Sequence, residues 1–531
     1  MKRILDILCI PFKKEFSFFL MLVVLASIVD VVAWFLYNEP IFAVYLGLHS
    51  YLMCYVVAFG YGIIRNKYFR RIYAIVFLSL GIISCLVDIV CHNTLHIGFT
   101  KDLVSIIMGT NPAESLEFAN TFLSVEVFLL FVGVLLILCT IFYFRYSINK
   151  VGSKLTYLGV FVLLVGTTAI YLKKSQNWEG VYLYKIKTLL SYSAPRNLKQ
   201  YLQNPSIEKV NEGPKNIVMV IGESFSKHHS SLYDYEKNTN PELAKLRYDS
   251  LLFVYENVAS AELGTIVSFQ CIMSTYKPEF KQEVNWYECV TLPEIISKTD
   301  YKSIWISNKS RNGVYDNVVS KYAELCDTSI WTGQKFAGIV KTDLDELVIE
   351  KLNDSDLYGE EKIWAEPICF VVHLMGSHYS FKTRYPENYN FFKPNDYQEF
   401  KEHQRSTLAE YDNSILYNDY VVSEICKSFE NKEAIVIYFP DHGLDVYNSD
   451  ENYVGHPRTI DSLSVAAGRE IPFMIYTSPE YQKNFPDKMH QIKTTLLKSF
   501  RTDDVLYTIM DIMGVKFADN DDVKKYSMLE N

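Results

Sequence analysis

Five long apolar stretches in the first third of the chain constrain its fold more than any other feature. Each has close to the roughly 20 residues that a helix needs to cross about 30 Å of hydrocarbon, and none shows the polar stripe of an amphipathic core helix. They are Phe16–Tyr37, Ile41–Ile64, Ile72–Val90, Phe122–Phe144 and Leu155–Leu172. The sequence therefore predicts an α-helical transmembrane domain of five spans over residues 1–172.

The loops between these stretches differ in basic residues. Lys and Arg cluster before the first stretch, between the second and third, and between the fourth and fifth, whereas the other loops are poor in both. Basic loops stay in the cytoplasm, so five spans would put everything after Lys173 on the opposite side. Asp30 and Asp88 fall within or near the ends of spans, where a charge is costly. A structural hydrogen bond and a functional role are equally open for both.

The composition changes after the membrane segments. Residues 173–215 are polar with scattered proline, which indicates a linker, with an interfacial helix predicted around Tyr182–Tyr192. Over residues 216–531, short runs rich in Val, Ile and Phe alternate with longer polar segments, a pattern typical of an α/β domain with a buried sheet. The runs are Ile217–Ile221, Ser303–Ser307, Cys369–Leu374, Ala434–Phe439 and Ile471–Tyr476. The net charge of −9 argues against a nucleic-acid-binding surface.

Residue types that bind metals follow three of these runs. Glu223 comes after the first, His378 after the third, and Asp441 with His442 after the fourth, while His456 lies further along the chain. Ligands bind beyond the carboxyl ends of strands in open α/β sheets, so we expect these side chains to gather at one edge. Carboxylate and imidazole together suit Zn or Mn better than Ca or Mg. Each residue alone is more typical of a surface loop, but together they favour a metal site.

Thr265 precedes an apolar segment, Ile266–Met273, that we predict to be a buried helix. Free N–H groups and the helix dipole at such an N-terminus favour an anion such as phosphate. A Thr hydroxyl is a weak nucleophile at neutral pH, and coordination to a divalent metal would activate it. Spacing alone still favours a plain helix cap for Thr265.

An ordered set of motifs favours a nucleophilic role for Thr265 over a plain helix cap. It resembles the phosphoethanolamine transferases of the alkaline-phosphatase/sulfatase superfamily, which include lipid A-modifying enzymes associated with polymyxin resistance. The matching segments are Thr110–Glu114, Ile221–Ser224, Asn238–Pro241, Gly264-Thr265, Leu292–Glu294, His373–His378, Arg384–Pro386, Tyr411–Ser414 and Asp441–Gly443, with His456 downstream.

The resemblance implies a function and a role for each candidate residue. It implies a sulfatase-like catalytic domain in the periplasm on a multi-pass inner-membrane anchor, which we expect to be a monomer. Phosphoethanolamine would pass from phosphatidylethanolamine to the nucleophile Thr265, and then to a lipid-linked glycan such as lipid A or the lipopolysaccharide core. One or two Zn ions are implied, the first held by Glu223, Thr265, Asp441 and His442. His378 and His456 would bind the phosphate or a second Zn, and Asn308 with Arg311 would contact the phosphate.

One departure from the family concerns cysteine. Relatives often have a Cys just before the Gly-Thr pair, tied into a disulfide, whereas Ala259–Leu263 contains none. The soluble part has five cysteines, an odd number that leaves at least one thiol unpaired. They are Cys271, Cys289, Cys326, Cys369 and Cys426, of which Cys369 opens an apolar strand and is a candidate buried thiol.

Three other functions fit parts of the sequence. A phosphoglycerol transferase of the lipoteichoic-acid-synthase type has a similar layout, but the Thr110–Glu114 and Gly376–His378 segments favour the phosphoethanolamine branch. A membrane-bound phosphatase or sulfatase is a second alternative, although no formylglycine precursor motif surrounds Thr265. A non-enzymatic membrane sensor is a third, and retention of every ligand-type residue argues against it.

Overall fold

The computed structural model describes residues 6–36, 40–91, 125–163, 197–280, 284–309, 318–336, 339–341, 344–354, 366–451, 453–456 and 462–530. The chain divides into two compact units. One is helical and N-terminal, and the other contains everything described after residue 196. Arg311, the Thr110–Glu114 motif and the interfacial helix predicted around Tyr182–Tyr192 lie outside the described residues.

The N-terminal unit consists of helices. They are α1 (Ile10–Lys13), α2 (Phe16–Leu36), α3 (Pro40–Ile63), α4 (Lys67–Val90), α5 (Val125–Tyr143) and α6 (Arg145–Lys154). Within the described residues, α4 and α5 are long and apolar enough to cross a membrane, and Phe16–Ala26 and Gly47–Ile63 form shorter apolar helical segments. Asp88 is buried in α4, whereas the side chain of Asp30 is outside the described part of the chain.

The second unit is an α/β domain. Its strands are β1 (Ile207–Lys209), β2 (Asn216–Gly222), β3 (Leu252–Tyr255), β4 (Asn257–Ala259), β5 (Lys302–Ser307), β6 (Thr328–Trp331), β7 (Gln334–Phe336), β8 (Ile339–Lys341), β9 (Ile368–His373), β10 (Ala434–Pro440), β11 (Asp445–Val446), β12 (Val454–Gly455), β13 (Phe473–Thr477), β14 (Ser499–Arg501) and β15 (Val515–Phe517). Its helices are α7 (Pro241–Tyr248), α8 (Thr265–Ile272), α9 (Leu292–Ile296), α10 (Val318–Ala323), α11 (Glu346–Leu352), α12 (Glu402–Lys427), α13 (Ser462–Arg469), α14 (Pro479–Asn484), α15 (Pro486–Thr495), α16 (Val505–Met513) and α17 (Asp522–Tyr526).

Within the part of the chain that the structure describes, seven strands form the central sheet, in the order β3-β13-β10-β2-β9-β5-β6. The strands from β10 to β6 in this order run parallel, and β13 is antiparallel to both of its neighbours. All five predicted apolar runs are strands of this sheet. The short strands β3 and β6, which lie at its two edges, were not predicted.

Both faces of the sheet are covered, which explains the apolar runs. Along β2, Ile217 and Met219 belong to one buried cluster, and Val218 and Val220 belong to another. Successive side chains of a strand point to opposite faces, so the two clusters lie on opposite sides of the sheet. Strands buried on both faces read as continuous hydrophobic runs.

Strands β2, β5, β9 and β10 are mutually parallel, so their carboxyl ends meet at one edge of the sheet. This edge receives the segments that begin at Glu223, Asn308, Leu374 and Asp441. The topology therefore brings four loops from distant parts of the chain together.

Each of the ten cysteines lies within the described residues, and none of them forms a disulfide. Cys369 is fully buried in β9, as predicted, and burial raises the pKa of its thiol.

Candidate metal centre at the edge of the sheet

Four of the predicted side chains converge at this edge. Glu223 follows β2, Asp441 and His442 follow β10, and Thr265 is the first residue of α8. Thr265 Oγ1 lies 3.1 Å from Glu223 Oε1 and 3.4 Å from His442 Nε2. His442 Nε2 lies 3.3 Å from Glu223 Oε1 and 3.6 Å from Asp441 Oδ2. The carboxylates and the imidazole are fully buried.

The spacing of these atoms fits a metal ion. Tetrahedral zinc with ligands at about 2.0–2.1 Å separates neighbouring ligand atoms by roughly 3.3–3.4 Å, and the four measured distances fall between 3.1 and 3.6 Å. Asp441 Oδ2 is buried, and no donor within the described residues has hydrogen-bond geometry to it. A buried acceptor without a donor is costly, and a bound cation would remove that cost. Glu223, Asp441, His442 and Thr265 would hold the ion.

Neighbouring charges and burial shift the pKa values of the three titratable groups in this cluster. Burial favours the neutral form of Glu223, but the neighbouring Lys309 and His442 hold the pKa of its carboxyl well below the usual range. Burial and the charge of Glu223 raise the pKa of Asp441 to about 6. Burial opposes the charged form of His442, yet Asp441 and Glu223 outweigh it and raise its pKa to about 9.

The loop carrying Glu223 is held in an unusual conformation. Ser224 has φ of 56°, in the left-handed region that a residue with a Cβ rarely adopts. Its hydroxyl donates to Glu223 Oε1 at 3.0 Å, and its backbone N–H donates to Asp441 Oδ1 at 3.3 Å. The hydroxyl of Tyr411 donates to Ser224 O at 2.8 Å and accepts from Ser226 N at 3.1 Å. These contacts tie the loops of the two carboxylates together.

Two further histidines lie at the same edge. His456 Nδ1 is 3.1 Å from the carbonyl oxygen of Leu263 and therefore carries the proton, which leaves Nε2 as the acceptor. Its ring centroid lies 4.8 Å from that of His442. Burial lowers the pKa of His456 to about 4 and holds the pKa of His378 well below its usual value, so both are neutral.

Asn308 and Lys309 follow β5 at the same edge. Asn308 is 2% exposed, and its amide donates to Asp345 Oδ1 at 2.8 Å and accepts from the hydroxyl of Thr332 at 2.7 Å. Lys309 was not predicted as a site residue, although its ammonium lies 2.6 Å from Glu223 Oε2. A cationic residue two positions after a buried strand, at the edge that also receives Glu223, was the available signal.

Comparison with known proteins agrees with this arrangement. The sulfatase family model matches residues 215–515, more than half of the chain. The chain belongs to the sulfatase family. Phosphoethanolamine transferase EptC of Escherichia coli (strain K12) is 25% identical over 470 residues, which cover 79% of this chain and 76% of that protein.

Two solved structures resemble this sulfatase-family chain. The C-terminal periplasmic domain of Escherichia coli EptC, in complex with Zn, has a TM-score of 0.54 and 25% identity, covering 61% of this chain and 89% of that one. The integral membrane protein lipooligosaccharide phosphoethanolamine transferase A of Neisseria meningitidis has a TM-score of 0.67 over 97% of this chain and 98% of its own, and at 18% identity this likeness concerns the fold alone. The resemblance to phosphoethanolamine transferases predicted from the motifs is confirmed.

Gly376 provides a steric test of the centre. Its φ is +49°, and a Cβ there would lie 2.8 Å from both the backbone N and the backbone O of Glu223. We expect Gly376→Ala to displace Glu223 and to weaken zinc binding by about 10- to 100-fold, measured by zinc titration of the purified protein. Gly264→Ala is the control, because its Cβ would meet nothing closer than His456 Nδ1 at 3.9 Å. Equal affinities in the two variants would contradict the placement of Glu223.

The raised pKa of His442 predicts proton release on zinc binding. With a pKa of about 9, His442 is protonated at neutral pH, whereas zinc binds the neutral imidazole. Calorimetric titration in buffers of different ionisation enthalpy should show about one proton released near pH 7.5, and affinity should rise with pH up to about 9. His456→Gln should leave the proton count unchanged, because the pKa of His456 is about 4. Zinc binding without proton release would contradict the charge state of His442.

Proposed function

We propose that this chain transfers phosphoethanolamine from phosphatidylethanolamine to an envelope glycolipid, through a covalent intermediate on Thr265. The observation that carries the proposal is the position of Thr265 Oγ1 within 3.1–3.4 Å of Glu223 and His442. A threonine hydroxyl this close to the proposed metal-ligand atoms would bind the same metal ion, and metal binding would activate it as a nucleophile for phosphoryl transfer. A curated relative named phosphoethanolamine transferase EptC supports the choice of transferred group.

The first step uses the hydroxyl of Thr265 and the start of α8. Thr265 Oγ1 donates its hydrogen bond to Glu223, so the proton has an acceptor when Oγ1 attacks phosphorus. The bond from phosphorus to the diacylglycerol oxygen breaks, and diacylglycerol leaves with a proton. The N-cap residue of α8 is Gly264, which offers no side-chain cap, so its first N–H groups can bind phosphate oxygens. Zinc held by Glu223, Thr265, Asp441 and His442 would lower the pKa of the hydroxyl and neutralise charge on the transferred group.

The phosphate has further partners at the edge of the sheet. His378 and His456 are neutral and lie beside the metal-ligand cluster. The ring N–H of His378 would bind a phosphate oxygen, whereas Nε2 of His456 is an acceptor and would bind a second zinc or a protonated phosphate oxygen. Lys309 would contribute positive charge as the equatorial oxygens become more negative. Asn308 and Arg311 belong to the same proposed phosphate-binding loop.

The second step returns the enzyme to its starting state. A hydroxyl or phosphate oxygen of the acceptor attacks the phosphorus bound to Thr265, and the bond from phosphorus to Oγ1 breaks. Oγ1 regains a proton, and the acceptor carries phosphoethanolamine. Lipid A, a lipopolysaccharide core sugar and a related surface glycan all provide such an oxygen.

A membrane anchor suits this reaction because both proposed substrates are lipids. We propose five spans over residues 1–172, a linker over 173–215 and a periplasmic catalytic domain over 216–531, in a monomer of the inner membrane. Anchoring would confine the search for two lipids to two dimensions. A phosphoglycerol transferase is the second candidate, since the same nucleophile and metal ligands would serve a different headgroup.

The nucleophile is tested by substitution. Thr265→Ala should abolish transfer from labelled phosphatidylethanolamine, a loss of about three orders of magnitude or more, because no hydroxyl remains. Thr265→Ser is the matched control and should retain measurable transfer. Mass spectrometry of envelope glycolipids from cells that express each variant would identify the acceptor by a phosphoethanolamine-sized increment. Transfer by Thr265→Ala at the wild-type rate would rule out the proposed intermediate, and transfer of phosphoglycerol instead would favour the second candidate.

The orientation is tested with a membrane-impermeant maleimide. In a cysteine-free background, Tyr248→Cys in the catalytic domain should react in intact spheroplasts, whereas Tyr68→Cys in the first turn of α4, at its proposed cytoplasmic end, should react only after permeabilisation. Both tyrosines are well exposed, at 89% and 69%, so accessibility within the protein is comparable. Labelling of Tyr68→Cys in intact spheroplasts would contradict the proposed topology.

A further inference from the structure

A buried carboxylate with no place in the proposed chemistry lies behind the metal-ligand cluster. Asp345 is 4% exposed and occupies the N-cap position of α11, yet its side chain does not cap that helix. Oδ1 accepts hydrogen bonds from Asn308 Nδ2 and from the backbone N–H of Met375, both at 2.8 Å. Oδ2 accepts from the backbone N–H of Gly376 at 2.9 Å. An acidic N-cap residue ordinarily serves its own helix, so this carboxylate has been recruited by two other loops.

The loop that follows β9, which contains Met375, Gly376 and Ser377, packs against the backbone of Glu223. Ser377 N donates to Glu223 O at 3.0 Å, and Gly376 approaches so closely that a Cβ would lie 2.8 Å from Glu223 N and O. The two hydrogen bonds from Met375 and Gly376 to Asp345 hold this turn from behind. The position of Glu223 therefore depends on a turn that Asp345 anchors.

The loop that follows β5 carries Lys309. Asn308, the preceding residue, has its amide held on one side by Asp345 and on the other by the hydroxyl of Thr332, at 2.8 and 2.7 Å. The ammonium of Lys309 then reaches Glu223 Oε2 at 2.6 Å. A side chain as flexible as lysine loses its preferred location when its backbone support is removed.

We propose that Asp345 is a positioning residue for the transfer reaction, holding the Lys309 loop and the Met375–Ser377 turn in register against Glu223. The inference rests on the proposed function for its effect on catalysis, but the positions of the loops are independent of the reaction. One carboxylate joins the segments that follow β5 and β9, so it sets the distance between Lys309 and Glu223.

A matched control separates positioning from stability. Asp419 on α12 is another buried carboxylate that accepts two backbone N–H bonds, from Glu242 at 2.8 Å and Leu243 at 3.0 Å, at the start of α7. Asn in place of either aspartate keeps the shape but puts an amide donor opposite backbone donors, which should destabilise both variants similarly. Only Asp345 contacts the loops of the active site.

The experiment uses the purified full-length protein in detergent with saturating zinc. We expect Asp345→Asn to lower kcat for phosphatidylethanolamine by about 10- to 100-fold with little change in KM, and Asp419→Asn to lower neither. Acylation of the Lys309 amine, followed by peptide mass spectrometry, should increase several-fold in Asp345→Asn and stay at the wild-type level in Asp419→Asn. Thermal unfolding of both variants checks that they remain folded.

Coupling between Asp345 and Lys309 provides a second test of the positioning role. If Asp345 acts in part through Lys309, the loss of kcat in the double variant Asp345→Asn/Lys309→Met should be clearly smaller than the product of the two single losses, because interacting residues are not additive. Thr332→Val removes only the hydroxyl that holds the other side of Asn308, and it should raise acylation of Lys309 to a smaller extent. It replaces Asp345→Asn as the decisive variant if the latter does not fold.

The outcomes that overturn the proposal are specific. Unchanged Lys309 acylation in the folded variants, or an equal loss of kcat in Asp419→Asn, would reduce Asp345 to a general contribution to stability. A wild-type protein that transfers no phosphoethanolamine would refute the proposed function. The acylation comparison would then still decide whether Asp345 positions Lys309.

Discussion

Two buried carboxylates, Glu223 and Asp441, are the constraint on which the rest of the catalytic unit depends. They stand at the ends of the adjacent parallel strands β2 and β10, where the topology leaves no room to separate them. Buried like charges oppose each other's ionisation and require nearby positive charge. Lys309 and His442, whose pKa is raised to about 9, provide it. A divalent ion among the same atoms would meet the same need, so metal binding and charge balance are two aspects of one arrangement.

The surrounding loops hold the carboxylates of Glu223 and Asp441 in place. Ser224 takes a left-handed conformation that brings its N–H to Asp441 and its hydroxyl to Glu223, and Tyr411 fixes the next turn of the chain. Gly376 allows a second loop to touch the Glu223 backbone where any side chain would collide. Backbone strain of this kind persists only where neighbouring contacts impose it, and it concentrates at functional sites.

The sequence allowed the sheet and its ligand-bearing edge to be predicted, but not the supports behind that edge. The runs that became β2, β5, β9, β10 and β13 are apolar because both faces of the sheet are covered, and metal-ligand residue types follow three of them, β2, β9 and β10. Strands β3 and β6 escaped prediction because each is a four-residue edge strand. Asp345 could not be found because two of its three hydrogen-bond donors are backbone N–H groups, which every sequence contains, and the third is a side-chain amide from a distant loop. The same limit applies to Lys309, whose role depends on the distance between two loops.

The segment before Gly264-Thr265 contains no cysteine. Hydrogen bonds can maintain the position of Thr265 in place of a crosslink. Ser260 and Ser268 both donate to the carbonyl oxygen of Glu262, at 2.8 and 3.2 Å, and join the segment before α8 to the helix itself. The backbone N–H of Ala261 donates to the hydroxyl of Thr502 at 2.9 Å, which ties the segment to a distant part of the chain. Each such bond contributes about 1 kcal/mol net, whereas a disulfide typically contributes about 2–4 kcal/mol. Three hydrogen bonds are therefore comparable in energy to one crosslink. They also locate the segment in the folded state, whereas a disulfide acts mainly by restricting the unfolded chain, so Thr265, the proposed nucleophile, can be held in place without a disulfide.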